Sequence, residues 1–242
     1  MGKIYLVRHG QASLGSTNYD QLSPLGIKQS FRLGEYFRAC GVVFEAAYTG
    51  TLTRQQETLH QIQLGLQLKA SNYTNEPALN EYDSHALISC VHKGPIPSPN
   101  TAQGYKEFFK LLRSGLLSWM TDQSTPESLP DFVTFQAKII RTLQKIQTAH
   151  TGSVLIVSSG GPISTALAYL LGMSHEGRIE LNLRLRNSSL SEISFSPKAL
   201  AVISFNTLNH LAQPEFQDWV TYATCRCNMQ SLCSQACISA CL

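Results

Sequence analysis

Charge is scarce in this chain: only 14% of its 242 residues are Asp, Glu, Lys or Arg, and the formal net charge at pH 7 is +3. Proteins that grip a nucleic-acid backbone cluster lysines and arginines on one face, so this thin balance excludes that class and merely permits small anions. Long hydrophobic runs are missing as well. No stretch approaches the roughly 18 uninterrupted apolar residues of a membrane-crossing helix. The opening residues run straight into Ile4-Tyr5-Leu6-Val7 with no small-residue cleavage pattern behind them. Neither a membrane partner nor a signal peptide is expected. Metal-ligand spacings are lacking too: His60, His92, His150 and His175 stand at no zinc-like interval from one another, a Cys or an acid, and no metal or other cofactor is predicted. Cysteine is almost absent from the body, where only Cys40 and Cys90 precede residue 225, and the odd total of seven rules out complete pairing. Such a body fits the cytoplasm.

What is present is a large apolar fraction, 43% of residues, enough for one substantial core. The run Ile4 to Val7 reads as a buried strand ending at Arg8-His9-Gly10, where Gly10 lets the backbone bend. From Ser23-Pro24, a good cap and first-turn pair, the pattern turns helical, with Leu25, Phe31, Leu33, Tyr36 and Phe37 on one side and a stop near Gly41. A short strand at Ala46 to Thr49 leads through Gly50 to a helix from Thr51 to about Leu66 that carries Arg54 in its first turn. Residues Ser84 to Gly104 hold Pro95, Pro97 and Pro99 between glycines and are expected to form an irregular loop or lid. Helical spacing resumes over Tyr105 to Thr121 and Asp131 to His150, where Phe132, Phe135, Ile139, Leu143 and Ile146 are core candidates. Ser153 to Val157 is another continuous apolar strand, followed by Ser158-Ser159-Gly160-Gly161 and a helix opening at Pro162. Leu190 to Phe195 and Leu200 to Phe205 form a late hairpin or a pair of edge strands. Strands alternating with helices predict a three-layer α/β/α domain with a mostly parallel central sheet over residues 1–222.

The last residues, 223–242, hold Cys225, Cys227, Cys233, Cys237 and Cys241 at spacings that match no structural zinc signature. They are too few to fold alone and are expected to be a poorly ordered extension.

A neutral imidazole is nucleophilic near pH 7 and can accept a phosphoryl group where cations hold the phosphate. Arg8 supplies a cation beside His9. The ordered set Leu6-Val7-Arg8-His9-Gly10, Tyr48-Thr49-Gly50-Thr51-Leu52-Thr53-Arg54, Leu79-Asn80-Glu81, Val154 to Gly161 and Asn206 with His210-Leu211 resembles the histidine phosphatase, or phosphoglycerate mutase-like, family over about residues 1–222. The resemblance implies that His9 is the nucleophile, that Arg8 and Arg54 clamp the phosphoryl oxygens with their planar forks, and that Glu81 is general acid and then base, which requires a raised pKa. Ser159 and the amide of Gly160 fall where the family's fourth motif meets phosphate.

Two departures stand out. The family's fourth motif reads Ser-His-Gly, and here its histidine is Ser159. One lost donor of this kind costs on the order of 10²–10³ in rate. His85, oriented by Asp83, could take over the contact; alternatively His85 starts a helix or faces solvent. The asparagine that the family places six residues after the nucleophile is Gly15, for which Asn18 or Ser13 could compensate.

The resemblance favours a phosphatase acting on a small phosphorylated substrate, with phosphoproteins left open. A mutase is the alternative, disfavoured because the mutases' long closing insertion is missing. A weakened phospho-ligand or protein-binding domain is a third reading, against which the retention of Arg8, His9, Arg54 and Glu81 speaks.

Overall fold

Every residue from Ile4 to Val7 is buried, and alternate side chains enter opposite layers. Ile4 and Leu6 join one core cluster, Tyr5 and Val7 another. A strand apolar at every position is one covered on both faces, and the computed structural model contains such a strand, β1, over Gly2–Arg8. The structure describes residues 1–13, 20–68, 72–99 and 101–222. Gly15, Asn18 and the cysteine-rich segment 223–242 lie outside the described residues.

In chain order β1 is followed by α1 (Pro24–Ala39), β2 (Phe44–Thr49), α2 (Thr53–Gly65), β3 (Thr74–Asn75), α3 (Ser84–Val91), α4 (Ala102–Met120), α5 (Phe132–Ala149), β4 (Ser153–Ser158), α6 (Gly160–Leu171), α7 (His175–Arg184), β5 (Leu190–Ser196) and β6 (Ala199–Thr207). The sheet runs β3-β2-β4-β1-β5-β6, parallel from β3 to β1 and antiparallel through β5 and β6. Leu33 and Phe37 of α1 with Leu59 and Ile62 of α2 cover one face. Ile139, Leu143 and Ile146 of α5 with Ile163 and Leu167 of α6 cover the other. The three-layer α/β/α architecture with a mostly parallel sheet is therefore present, and the late hairpin closes one edge.

A third cluster sits above the α5 layer, where Leu87 and Ile88 of α3, Phe108, Leu112, Leu116 and Trp119 of α4, Phe132 of α5 and Ile179 of α7 pack together. This corrects the reading of residues 84–104 as one irregular segment. Asp83 caps α3 through the amides of His85 and Ala86, an arrangement worth about 1 kcal/mol. Ser84–Val91 contains neither Pro nor Gly, so the breakers act only from Gly94 onward. His175 opens α7 behind the cap Ser174. Helix α6 opens two residues before Pro162, at Gly160. In α1 the buried face is Gly26, Gln29, Ser30, Leu33, Gly34 and Phe37, with Phe31 exposed. Gly34 is glycine because α1 and α2 approach closely: a Cβ there would lie 2.2 Å from the Ile62 carbonyl oxygen, while Gly26 packs against the Gln11 backbone.

Candidate active site

Parallel pairing of β1 with β4 sets Arg8 opposite Ser158, so the two strands end side by side and their following turns meet. The His9 amide donates to the Ser158 carbonyl at 2.9 Å. The His9 carbonyl accepts from the Ser188 amide at 3.1 Å, which holds the residue from the opposite side. Gly10 is needed here for space and not for an unusual bend: its φ is not positive, and a Cβ would lie 2.5 Å from the Gly26 carbonyl oxygen. Its amide donates to Thr58 Oγ1 of α2 at 3.0 Å, and Thr58 Oγ1 in turn donates to the Arg54 carbonyl at 2.7 Å.

The His9 ring is buried, and its Nδ1 lies 2.7 Å from the Gly10 carbonyl oxygen. A carbonyl can only accept, so Nδ1 carries the proton and Nε2 is left with a lone pair. Arg54 Nε donates to that Nε2 at 3.3 Å. Burial, then the charges of Arg54 and Arg8, hold the imidazole well below its ordinary value of 6.5, so it is neutral near pH 7. Arg8 is itself buried and donates through Nη1 to the Leu185 carbonyl. Arg54 is aimed by a carboxylate that the sequence reading passed over: Asp20 Oδ1 accepts from Arg54 Nη1 at 2.6 Å, while Asp20 Oδ2 accepts from the Thr53 amide at 2.8 Å.

Glu81 follows the short 3₁₀ turn Pro77–Leu79 and lays its carboxyl on the start of α6. The Gly161 amide donates to Oε1 and Oε2 at 3.0 and 3.2 Å, and the Tyr82 amide reaches Oε1 at 3.3 Å. This approach requires glycine, because a Cβ at 161 would lie 2.2 Å from Glu81 Oε1 and 2.4 Å from the Tyr82 ring. Burial raises the Glu81 pKa; the Gly161 amide and the charges of Arg54 and Arg8 oppose the rise. Behind it, Tyr82 is bonded by Asn182 of α7 at 2.5 Å and packs edge-on against Trp119 and Phe135.

Ser159 is the N-cap residue of α6, yet its hydroxyl makes no bond to its own helix. It is fully buried and accepts from Gln55 Nε2 at 2.8 Å. The residues brought together are therefore His9, Arg8, Arg54, Glu81, Ser159 and the Gly160-Gly161 turn. Asp83 and His85 are used otherwise. Asp83 caps α3, and the exposed His85 meets the Phe108 ring at 5.8 Å between centroids. Among the described residues neither bonds to His9, Arg8, Arg54 or Glu81. Ser13 donates to the Leu22 carbonyl at 2.9 Å and so ties down the end of its own segment. A cavity of about 410 Å³ lies elsewhere, lined by Arg186, Asn206, Leu208, Gln217 and neighbours, and takes in none of the residues above.

Asp20 and Gln55 are the site residues that sequence reasoning missed. Both were visible only as neighbours of motif residues, Gln55 directly after Arg54 and Asp20 shortly before the α1 cap.

A family model described as histidine phosphatase superfamily (branch 1) matches residues 4–208. A Hydrogenobacter thermophilus protein, provisionally named phosphoserine phosphatase 2, is 24% identical over 226 residues, 88% of this chain and 99% of its own. A 2,3-bisphosphoglycerate-dependent phosphoglycerate mutase of Bradyrhizobium diazoefficiens is 36% identical over 86 residues, covering 33% of this chain and 42% of the mutase. Among solved structures, a phosphoserine phosphatase of Entamoeba histolytica in complex with 3-phosphoglyceric acid superposes with a TM-score of 0.63 at 19% identity, covering 87% of this chain and 100% of that one. At that identity the superposition speaks for the fold.

Proposed function

The chain belongs to the histidine phosphatase superfamily (branch 1), and from that premise we propose that it is a phosphatase that hydrolyses phosphomonoesters through a phosphohistidine at His9. The observation that carries the proposal is the His9 ring itself: neutral, with Nδ1 tied to the Gly10 carbonyl and Nε2 facing Arg54. In the proposed reaction Nε2 attacks phosphorus, the P–O bond to the leaving alcohol breaks, and the alkoxide takes a proton from Glu81. Arg8 and Arg54 bind the non-bridging oxygens, whose charge builds in the transition state. Water then attacks the phosphorus of phosphohistidine, Glu81 takes its proton, the P–N bond breaks and inorganic phosphate leaves. The raised pKa of Glu81 supports its starting in the protonated form.

A small phosphorylated metabolite is the proposed substrate class, and the phosphatase name of the H. thermophilus relative supports it. The free Cys40 and Cys90 suit the proposed cytoplasmic location. Mutase-type transfer is the second reading, favoured by the stretches shared with phosphoglycerate mutases. The test is a panel of phosphomonoesters with wild type and His9→Ala, together with trapping of an acid-labile, base-stable phosphoprotein. Phosphate release and trapping by wild type, with both lost in the variant, are expected. Isomerisation of phosphoglycerate in the presence of bisphosphoglycerate without net phosphate release would replace the phosphatase reading with the mutase one.

A further inference from the structure

We infer that Gln55 is a positioning residue of the proposed reaction, tying the segment that carries Glu81 to the β4–α6 turn and so keeping the acid over the site. The inference rests on the phosphatase reading above. Gln55 is completely buried one residue after Arg54, and its Nε2 donates at once to the Leu79 carbonyl at 2.9 Å and to Ser159 Oγ at 2.8 Å. The direction of the amide is settled by chemistry. A carbonyl has no proton to give, so the NH₂ must face Leu79, and the same NH₂ then faces Ser159. Ser158 Oγ donates to the Leu79 carbonyl as well, at 2.7 Å. One carbonyl, two residues ahead of Glu81, is thus pinned from α2 and from the end of β4.

Three segments of the site meet in this knot: the start of α2 with Arg54, the Leu79–Glu81 segment, and the turn whose Gly161 amide holds the Glu81 carboxyl. Asn80 adds a second tie, accepting from the Thr51 amide at 2.7 Å and donating to Thr51 Oγ1 at 2.7 Å. Gln55 Oε1 is buried with no hydrogen-bond partner among the described residues. An unsatisfied buried acceptor is costly, so the residue is not there for its own comfort. Gly50 makes room for that oxygen, because a Cβ there would sit 1.9 Å from it. Where the family's fourth motif has a histidine, this chain has a short hydroxyl at Ser159, and the Gln55 side chain reaches it from α2.

The test uses a leaving-group comparison. An alkyl phosphate needs a proton from the acid, whereas p-nitrophenol is a good leaving group without one. In Gln55→Met, which keeps the shape and removes the donor, kcat/KM for glycerol 2-phosphate, which reports phosphorylation of His9 and not the later attack of water, should fall about 10- to 100-fold, the effect of a small displacement of a catalytic group. For p-nitrophenyl phosphate kcat/KM should change much less. An equal loss on both esters, or no loss on the alkyl ester, overturns the inference. If Gln55→Met melts below the assay temperature, Ser158→Ala probes the same carbonyl from its other side and must show the same selective loss. A wild type that releases phosphate from neither ester defeats the phosphatase reading itself; an active wild type with an unselective variant defeats only the role of Gln55.

Discussion

His9 and Glu81 occupy the same site under opposite electrostatic terms. Burial disfavours charge on both, lowering the histidine and raising the glutamic acid. The cations Arg54 and Arg8 reinforce burial at His9 and oppose it at Glu81. Their anchors differ in the same sense. His9 gives its Nδ1 proton to a carbonyl, which leaves a lone pair at Nε2, while Glu81 receives amide protons from Gly161 and Tyr82. One site thus shifts a base and an acid both toward their neutral forms, the direction that the proposed attack and leaving-group protonation each call for.

The hardest test of this contrast is Glu81→Gln, which keeps the shape and removes the titratable proton. It should lower kcat/KM, which reports formation of the phosphohistidine and not its hydrolysis, on alkyl phosphates by about 10²–10⁴-fold, the span of general acid catalysis, with little change on p-nitrophenyl phosphate. Equal losses on the two esters would break the assignment of the acid. Next in size, Arg54→Met should cost on the order of 10²–10³ in kcat. Because Arg54 lowers both groups, its removal should move the acid limb of the pH–rate profile, set by His9 losing its proton, and the basic limb, set by Glu81 losing its own, both toward higher pH. Limbs moving in opposite directions would show that the two groups do not share its field.

The smallest effect comes from a control histidine. His210 is buried, bonded to Ser188 Oγ at 2.9 Å, and is pushed down to about 3 by burial and by Arg32 and Arg186. A depressed histidine alone is therefore no mark of catalysis here. As pH falls below the ordinary 6.5, the unfolded chain takes up a proton that the folded chain refuses, so stability should drop by roughly 3 kcal/mol between pH 6.5 and 4 on this account alone. His210→Gln should show a flatter loss in urea unfolding over that range, with kcat unaltered at pH 7. An identical pH dependence in the variant would mean that the imidazole is not held neutral.

Much of the architecture was legible in advance. Ile4 to Val7 and Ser153 to Val157 are apolar without a break, which is how strands covered on both faces read, and the turns after them announced His9 and Ser159. Helix α3 was hidden behind the prolines that follow it, and α7 behind its polar opening. At the site, the motif residues were legible but their supports were not: nothing local distinguishes Gln55 from Gln56, or Asp20 from any loop carboxylate.

What the chain determined by itself is the alternation of strands and helices, the pairing of Arg8 with His9, and the substitution of Ser159 for a histidine. Those features follow from local periodicity and residue type. Only the tertiary structure decided that Gln55 meets a hydroxyl 104 positions away, that Asp20 grips Arg54, and that Glu81 rests on the Gly161 amide 80 positions on. Such contacts arise from strand register and helix packing, which bring distant segments to one strand end, and no short-range pattern records them.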